Sequence, residues 1–154
     1  MSLEAVNKAI VGRWLTDVWG EKCNVSAIDK LAAPTMRLQH SLYPPRRGRE
    51  EVKAFMVGLR QAFPDFLLQS VDELIAENDS VVVRWEVTGT HTGPVYSDLL
   101  MGTLTEATGR KLQFGGMSVV KLANGQITQE VGLDDGVTAL GQLGLIPIAS
   151  IPGF

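Results

Sequence analysis

A single cysteine, Cys23, stands among 154 residues, so the chain cannot close an internal disulfide. A cytosolic protein is the simpler reading, and Cys23, with no nucleophilic partners near it in sequence, reads as an inert thiol. Long apolar runs are also missing. Nothing approaches the ~18 residues of a membrane helix, and the first residues lack the basic and apolar regions of a signal peptide. The expected location is the cytoplasm, with no membrane partner. Positive charge is scarce: 14 Lys and Arg face 17 Asp and Glu. The net charge of −3 argues against nucleic acid as a partner, because phosphate binding needs a basic surface. The cluster of Arg46, Arg47 and Arg49 is too short to change that. Only two histidines occur, and neither stands at metal-ligand spacing from Cys23 or the acids. There is no glycine-rich phosphate loop. No metal is expected.

What is present suits one domain over residues 1–154, since 45% hydrophobic residues over this length supply a core. Val6, Ile10, Trp14, Val18 and Trp19 recur at helical spacing within residues 3–20. A short helix is expected over about 25–32, capped by Asn24 or Ser26 and ended by Pro34. Residues 36–42 alternate as a half-buried strand with His40 on the apolar side. Residues 48–63 form a third helix, with Val52, Phe55, Met56, Leu59 and Phe63 on one face. Beyond Pro64 the period changes to two. Hairpin signals at Asn78-Asp79 and Asn124-Gly125 separate strands, and PVYSDLLMG reads as a further hairpin. A last helix begins near Gly136.

Helices followed by consecutive antiparallel strands imply an α+β fold: a curved antiparallel sheet wrapped around N-terminal helices, enclosing a cone-shaped cavity. Such a cavity is a common small-molecule site. Parity sorts its lining. In the strand from Ser80 the odd residues Val81, Val83, Trp85 and Val87 face inward and lead to His91; Arg84, Glu86, Thr88 and Thr90 face water or a two-fold mate. In the strand ending at Asp134-Asp135, parity turns Ile127, Gln129, Val131, Leu133 and Asp135 inward. A single β-bulge would reverse this, and Gly132 is a plausible place for one. An inward aspartate loses solvation and becomes suited to proton transfer. Asp135 or Asp134 can equally cap the last helix, and the two roles are compatible. His40 and His91 are either packed core histidines or pocket residues. Trp14, Trp19 and Trp85 read as core or cavity wall.

The segments GREEVKAFMVGLRQAFPDF, VVVRWEVTGTHTG, TGRKLQFGGMSVVKLANGQI and DGVTALGQLG together resemble the SnoaL-like polyketide cyclase family, over about residues 10–147. That family has the nuclear transport factor 2-like cone fold. The resemblance implies intramolecular aldol-type acid/base chemistry on a small hydrophobic carbonyl compound, without metal or organic cofactor. It matches Asp135 to the family's general acid/base. It matches His40 to a histidine at the end of the first strand, and His91 to one in a GTHTG motif. Asp135 and His40 are therefore the expected catalytic residues. His91, Trp85, Trp14, Tyr43, Gln129 and Val131 are the expected substrate-binding residues. A homodimer through the outer sheet face is expected. The family often reads E-H-W-D where this chain has Gln129-Glu130-Val131-Gly132, which replaces an inward Trp and an inward Glu. The segment between His91 and Thr108 is longer than usual. The same fold also hosts non-catalytic binders, isomerases, dehydratases and epoxide hydrolases, and these remain alternatives.

Overall fold

Residues 1–147 are described by a computed structural model. The last residues of the domain expected over 1–154 lie outside that range. Helix α1 (Leu3–Arg13) is capped by the Ser2 side chain, which accepts from the Ala5 N–H. It runs without a break into a π-helical turn, Trp14–Trp19, whose Trp14, Leu15, Val18 and Trp19 are all buried. The buried stripe of α1 is Asn7 and Val11, and Val6 is exposed. The Asn7 amide donates to the Asn78 carbonyl, so this face is fixed by a polar contact that hydrophobic spacing does not reveal. A 3-10 turn (Val25–Ala27) and α2 (Ile28–Leu31) follow.

The chain then enters β1 (Ala32–His40), which includes Pro34, and the two-residue β2 (Arg46–Arg47). Helix α3 (Arg49–Ala62) buries Val52, Phe55, Met56, Leu59 and Ala62, the face its spacing predicted. Next come β3 (Leu67–Ser70), β4 (Ile75–Glu77), β5 (Ser80–Thr90), β6 (Lys111–Ala123), β7 (Gln126–Asp134) and α4 (Gly136–Gln142). One sheet results, in the order β2-β1-β7-β6-β5-β3, with β4 also paired to β5. All pairs are antiparallel except β1 with β7, which is parallel. The expected α+β architecture is present, with one qualification: the interior is filled, not hollow.

Two features of the sheet position the site. On β5, the odd residues Val81, Val83, Trp85 and Val87 are buried and Arg84, Glu86 and Thr88 are exposed, as parity predicted. On β7 the parity breaks. Lys121 pairs with Gln129 but Leu122 pairs with Ile127, so Thr128 is an extra residue in the ladder. This bulge sits four residues before Gly132. After it the inward side chains are Glu130 and Asp134, while Leu133 is 72% exposed. The PVYSDLLMG segment forms no hairpin strands; it is a loop in which an isolated antiparallel bridge pairs Tyr96 with Leu104. Gly115 and Gly116 lie inside regular β6. Gly116 is there for packing: a Cβ would overlap the Trp85 ring and the Leu133 carbonyl oxygen. Gly116→Ala should therefore lower stability by about 1–3 kcal/mol, through forced displacement of Trp85. A urea denaturation curve with an unchanged midpoint would contradict this.

Candidate active site

At the C-terminal end of β1 the His40 ring lies buried between two carboxylates. Its Nε2 meets Glu130 Oε2 at 2.5 Å and its Nδ1 meets Asp134 Oδ1 at 2.9 Å. All three side chains are 2% exposed. The parallel register sets His40 opposite Gly132, and a Cβ on Gly132 would overlap the imidazole. Glycine at this position thus makes the space that the ring occupies.

Each carboxylate oxygen is satisfied. Glu130 Oε1 accepts from Trp14 Nε1 at 2.7 Å and Trp19 Nε1 at 3.0 Å. These indoles lie five residues apart. At about 100° per residue an α-helix would splay them, whereas the i→i+5 ladder of a π-helix stacks them. The irregular turn is what lets two tryptophans share one oxygen. Ser118 Oγ lies 3.5 Å from Glu130 Oε2 and accepts from Trp85 Nε1 at 2.9 Å. Asp134 Oδ2 accepts from the Leu42 N–H at 3.0 Å and from Ser41 Oγ at 3.1 Å. The rings of Trp19, Trp85 and Tyr43 surround His40 at 5.2, 5.8 and 6.5 Å.

The electrostatics follow. Burial opposes charge on His40, but the hydrogen bonds and negative charges of Asp134 and Glu130 outweigh it and raise its pKa to about 10. Burial alone would raise Glu130, but the His40 hydrogen bond and charge, with the two indole donors, bring it below the ordinary carboxylate value. At neutral pH the cluster is an imidazolium between two carboxylates. Beside it Leu38, His40, Tyr43, Pro44, Arg46 and Phe55 line a narrow crevice too constricted for a water molecule. The loop after β5 closes over this end. Asp98 pairs with Arg46, and the Leu100 N–H donates to the Leu42 carbonyl at 3.0 Å.

The other expected site residues fall elsewhere. Asp135 is exposed and caps α4: Oδ1 accepts from the Thr138 N–H at 3.2 Å and Oδ2 from Thr138 Oγ1 at 2.7 Å. The inward orientation that parity assigned to it belongs to Asp134, because Thr128 shifts the alternation. For the same reason Gln129 and Val131 are displaced from the inner face. His91 is fully buried but away from the cluster. The Thr108 N–H donates to its Nδ1 at 3.2 Å, so Nε2 carries the proton toward the Pro94 carbonyl at 2.7 Å. It fastens the two ends of the 92–110 loop. Trp14, Trp85 and Tyr43 do gather around His40. Glu130 and Ser118 were not read as site residues from sequence, Trp19 was read as core or cavity wall, and Asp134 stood as the alternative to Asp135. Among the described residues no group of three or more His, Cys, Asp and Glu is placed to hold a metal ion, and no helix is long and apolar enough to cross a membrane.

The architecture defines a class: the cone fold of nuclear transport factor 2 and ketosteroid isomerase. The chain belongs to the SnoaL-like polyketide cyclase family, whose model matches residues 9–143. A protein of Jannaschia sp. CCS1 assigned to the SnoaL-like polyketide cyclases superposes with a TM-score of 0.78 at 20% identity, covering 96% of this chain and 97% of that one. A protein of Acidithiobacillus ferrooxidans assigned to the polyketide cyclases gives 0.73 at 27% identity, over 94% and 98%. A ketosteroid isomerase-like protein of Catenulispora acidiphila, in complex with trimethylamine, gives 0.70 at 15% identity, over 89% and 93%. No curated protein matches the sequence.

The titration of the cluster has a definite sign. A raised His40 adds stability that is complete below its unfolded value near 6.5 and is lost as pH climbs through about 10. A lowered Glu130 adds stability present above its ordinary 4.5 and lost on acidification. Unfolding free energy should therefore be greatest at about pH 4.5–6.5 and fall by up to about 1.4 kcal/mol per unit above that. His40→Leu, which strands two buried carboxylates, should cost about 3–5 kcal/mol at pH 7 and move the pH-dependent loss of stability to lower pH, because burial then raises Glu130 with no imidazole to offset it. Urea titrations at several pH values measure both; a pH profile in H40L that matches the wild type would show that His40 is not the source of the decline.

Proposed function

We propose that the chain is a cyclase-type enzyme of the isomerase or lyase kind, carrying out acid/base chemistry without an organic cofactor on a small hydrophobic carbonyl compound. The observation that supports this is the buried His40 ring, clamped between Asp134 and Glu130 and surrounded by the rings of Trp19, Trp85 and Tyr43. In this reading His40 and Asp134 act as one proton-exchanging pair. The pair takes the proton from an acidified C–H, and returns it to the alkoxide oxygen once the new C–C bond has formed, so no proton is gained or lost. Glu130, held by two indoles, fixes the imidazole's orientation and charge. Low polarity around the pair strengthens its field on a developing enolate. The general acid/base role expected of Asp135 passes to Asp134, the inward member of the two.

A closed interior with every oxygen of the cluster satisfied supports a second reading, in which the same crevice holds a hydrophobic ligand without reaction. Exchange of the α-protons of 2-tetralone in D₂O, followed by NMR, separates the two. Proton transfer requires that Asp134→Asn slow exchange by about 10²-fold or more. Asp135→Ala should leave exchange within about twofold and lower stability by about 1 kcal/mol through the lost cap. Equal exchange in wild type and D134N would favour the binding protein.

The outer sheet face supports a homodimer. Met117, Val119 and Leu133 are 50%, 41% and 72% exposed there, and they adjoin one another, since Met117 pairs with Leu133 and Val119 with Val131. Arg84, Glu86 and Thr88 extend this face. Sedimentation equilibrium should report a dimer, and Leu133→Lys should shift it to monomer; a monomeric wild type would contradict the assembly.

A further inference from the structure

The fold divides the basic cluster of Arg46, Arg47 and Arg49. Arg49 donates from Nε and Nη2 to the Ala32 carbonyl at 2.9 and 2.7 Å, tying the start of α3 to β1. Arg46 pairs with Asp98, donates to the Pro44 carbonyl and stands 5.2 Å from the centre of the Phe55 ring. Both side chains have structural tasks. The Arg47 side chain has none. Its backbone N–H donates to Glu51 Oε1 at 3.3 Å, but among the described residues its guanidinium has no ion-pair partner.

The strand register brings it a second cation. Arg47 lies directly opposite Arg37 in the pairing of β1 with β2, and both side chains are exposed. Residues so placed share a face of the sheet, with Cβ atoms roughly 4.5–5.5 Å apart, and like charges there destabilise the pair. Arg37 also has no ion-pair partner among the described residues. A charge on an edge strand deters stray pairing of its backbone, which accounts for Arg47 on β2. It does not account for Arg37, because β1 lies between β2 and β7.

The two arginines share a pocket. Arg37, Gln39, Pro45, Arg46, Arg47 and Glu51 line a space of about 140 Å³. That admits a phosphate or carboxylate group, but falls short of the about 300–1,000 Å³ of a site that encloses a whole ligand. Guanidinium forks match the oxygens of both groups. Gln39 is exposed on the same face of β1 as Arg37, so its amide can add a donor. Glu51 is the one acid of the lining, and it forms an ion pair with neither guanidinium. Leu38 and Arg46 line both this pocket and the crevice beside His40, so the two adjoin.

We propose that Arg37 and Arg47 form an oxyanion-binding site, which holds the phosphate or carboxylate group of a small-molecule ligand next to the crevice. The site fixes a charged end and takes no part in proton transfer, so it stands independently of the acid/base reading.

The test is a ¹H–¹⁵N NMR titration with sodium phosphate and, separately, sodium acetate, at an ionic strength matched with sodium chloride. The Nε–H signals of Arg37 and Arg47 should shift saturably, and the anion with the lower dissociation constant identifies the group. Arg37→Gln and Arg47→Gln should each raise that constant about threefold or more. Their urea midpoints should stay level or rise, because a like-charge pair has been removed. Glu51→Gln should lower the constant, since it takes away the repelling acid. No saturable shift with either anion, equal shifts with chloride, unchanged affinity in R37Q or R47Q, or a constant that E51Q fails to lower would each overturn the site. Unaltered 2-tetralone exchange in D134N beside intact anion binding would remove the proton-transfer reading and leave this site standing.

Discussion

The interior of this protein is organised around one ion cluster, the imidazolium of His40 between Glu130 and Asp134. Carboxylates removed from water are tolerable only when paired and fully hydrogen-bonded, and this requirement explains several otherwise unrelated irregularities. The π-helical turn brings Trp14 and Trp19 onto Glu130. Glycine at position 132 leaves space for the imidazole. The turn after β1 aims the Leu42 N–H and the Ser41 hydroxyl at Asp134. Each departure from regular geometry meets a demand set by the buried charges.

The same cluster explains why the cone is filled. Trp19, Trp85 and Tyr43 crowd His40 and leave beside it a hollow too tight for water. In such a medium charge interactions are strong, which favours both a fixed protonation state and chemistry once a substrate replaces the surrounding side chains. Access then depends on the loop joining β5 to β6. His91 fastens its ends through Thr108 and Pro94, and the Asp98–Arg46 ion pair with the Leu100 N–H on the Leu42 carbonyl holds its middle.

Much of this was legible in the sequence. Helical spacing on α3 and strict alternation on β5 fixed which side chains enter the core, because long amphipathic elements overdetermine their own orientation. The fold class followed from element order, and His40 from its place on the apolar side of β1. The carboxylates were not legible in the same way. Glu130 sits on what uninterrupted parity makes the outer face, and Asp135 on the inner one. Thr128, a strand-favouring residue with no glycine beside it, gives no local sign of the bulge that inverts them. The bulge is a property of three strands in register: β7 must match β6 on one side and β1 on the other, and β1 carries its own irregularity between Ala32 and Arg37. The role of Trp19 was hidden for a similar reason, since spacing assigns it with Trp14 to the core and only the wider ladder brings both indoles onto one carboxylate oxygen.

That one-residue insertion bears on how relatives of this chain are compared. An alignment column and a position in space part company at Thr128. Two homologues, one with the additional residue and one without, would superpose well while exposing opposite members of an Asp-Asp pair to the chamber. Transferring an acid/base residue by column then selects the helix cap in one of them. Counting ladder partners back from the helix, instead of matching letters, recovers the residue that does the equivalent job.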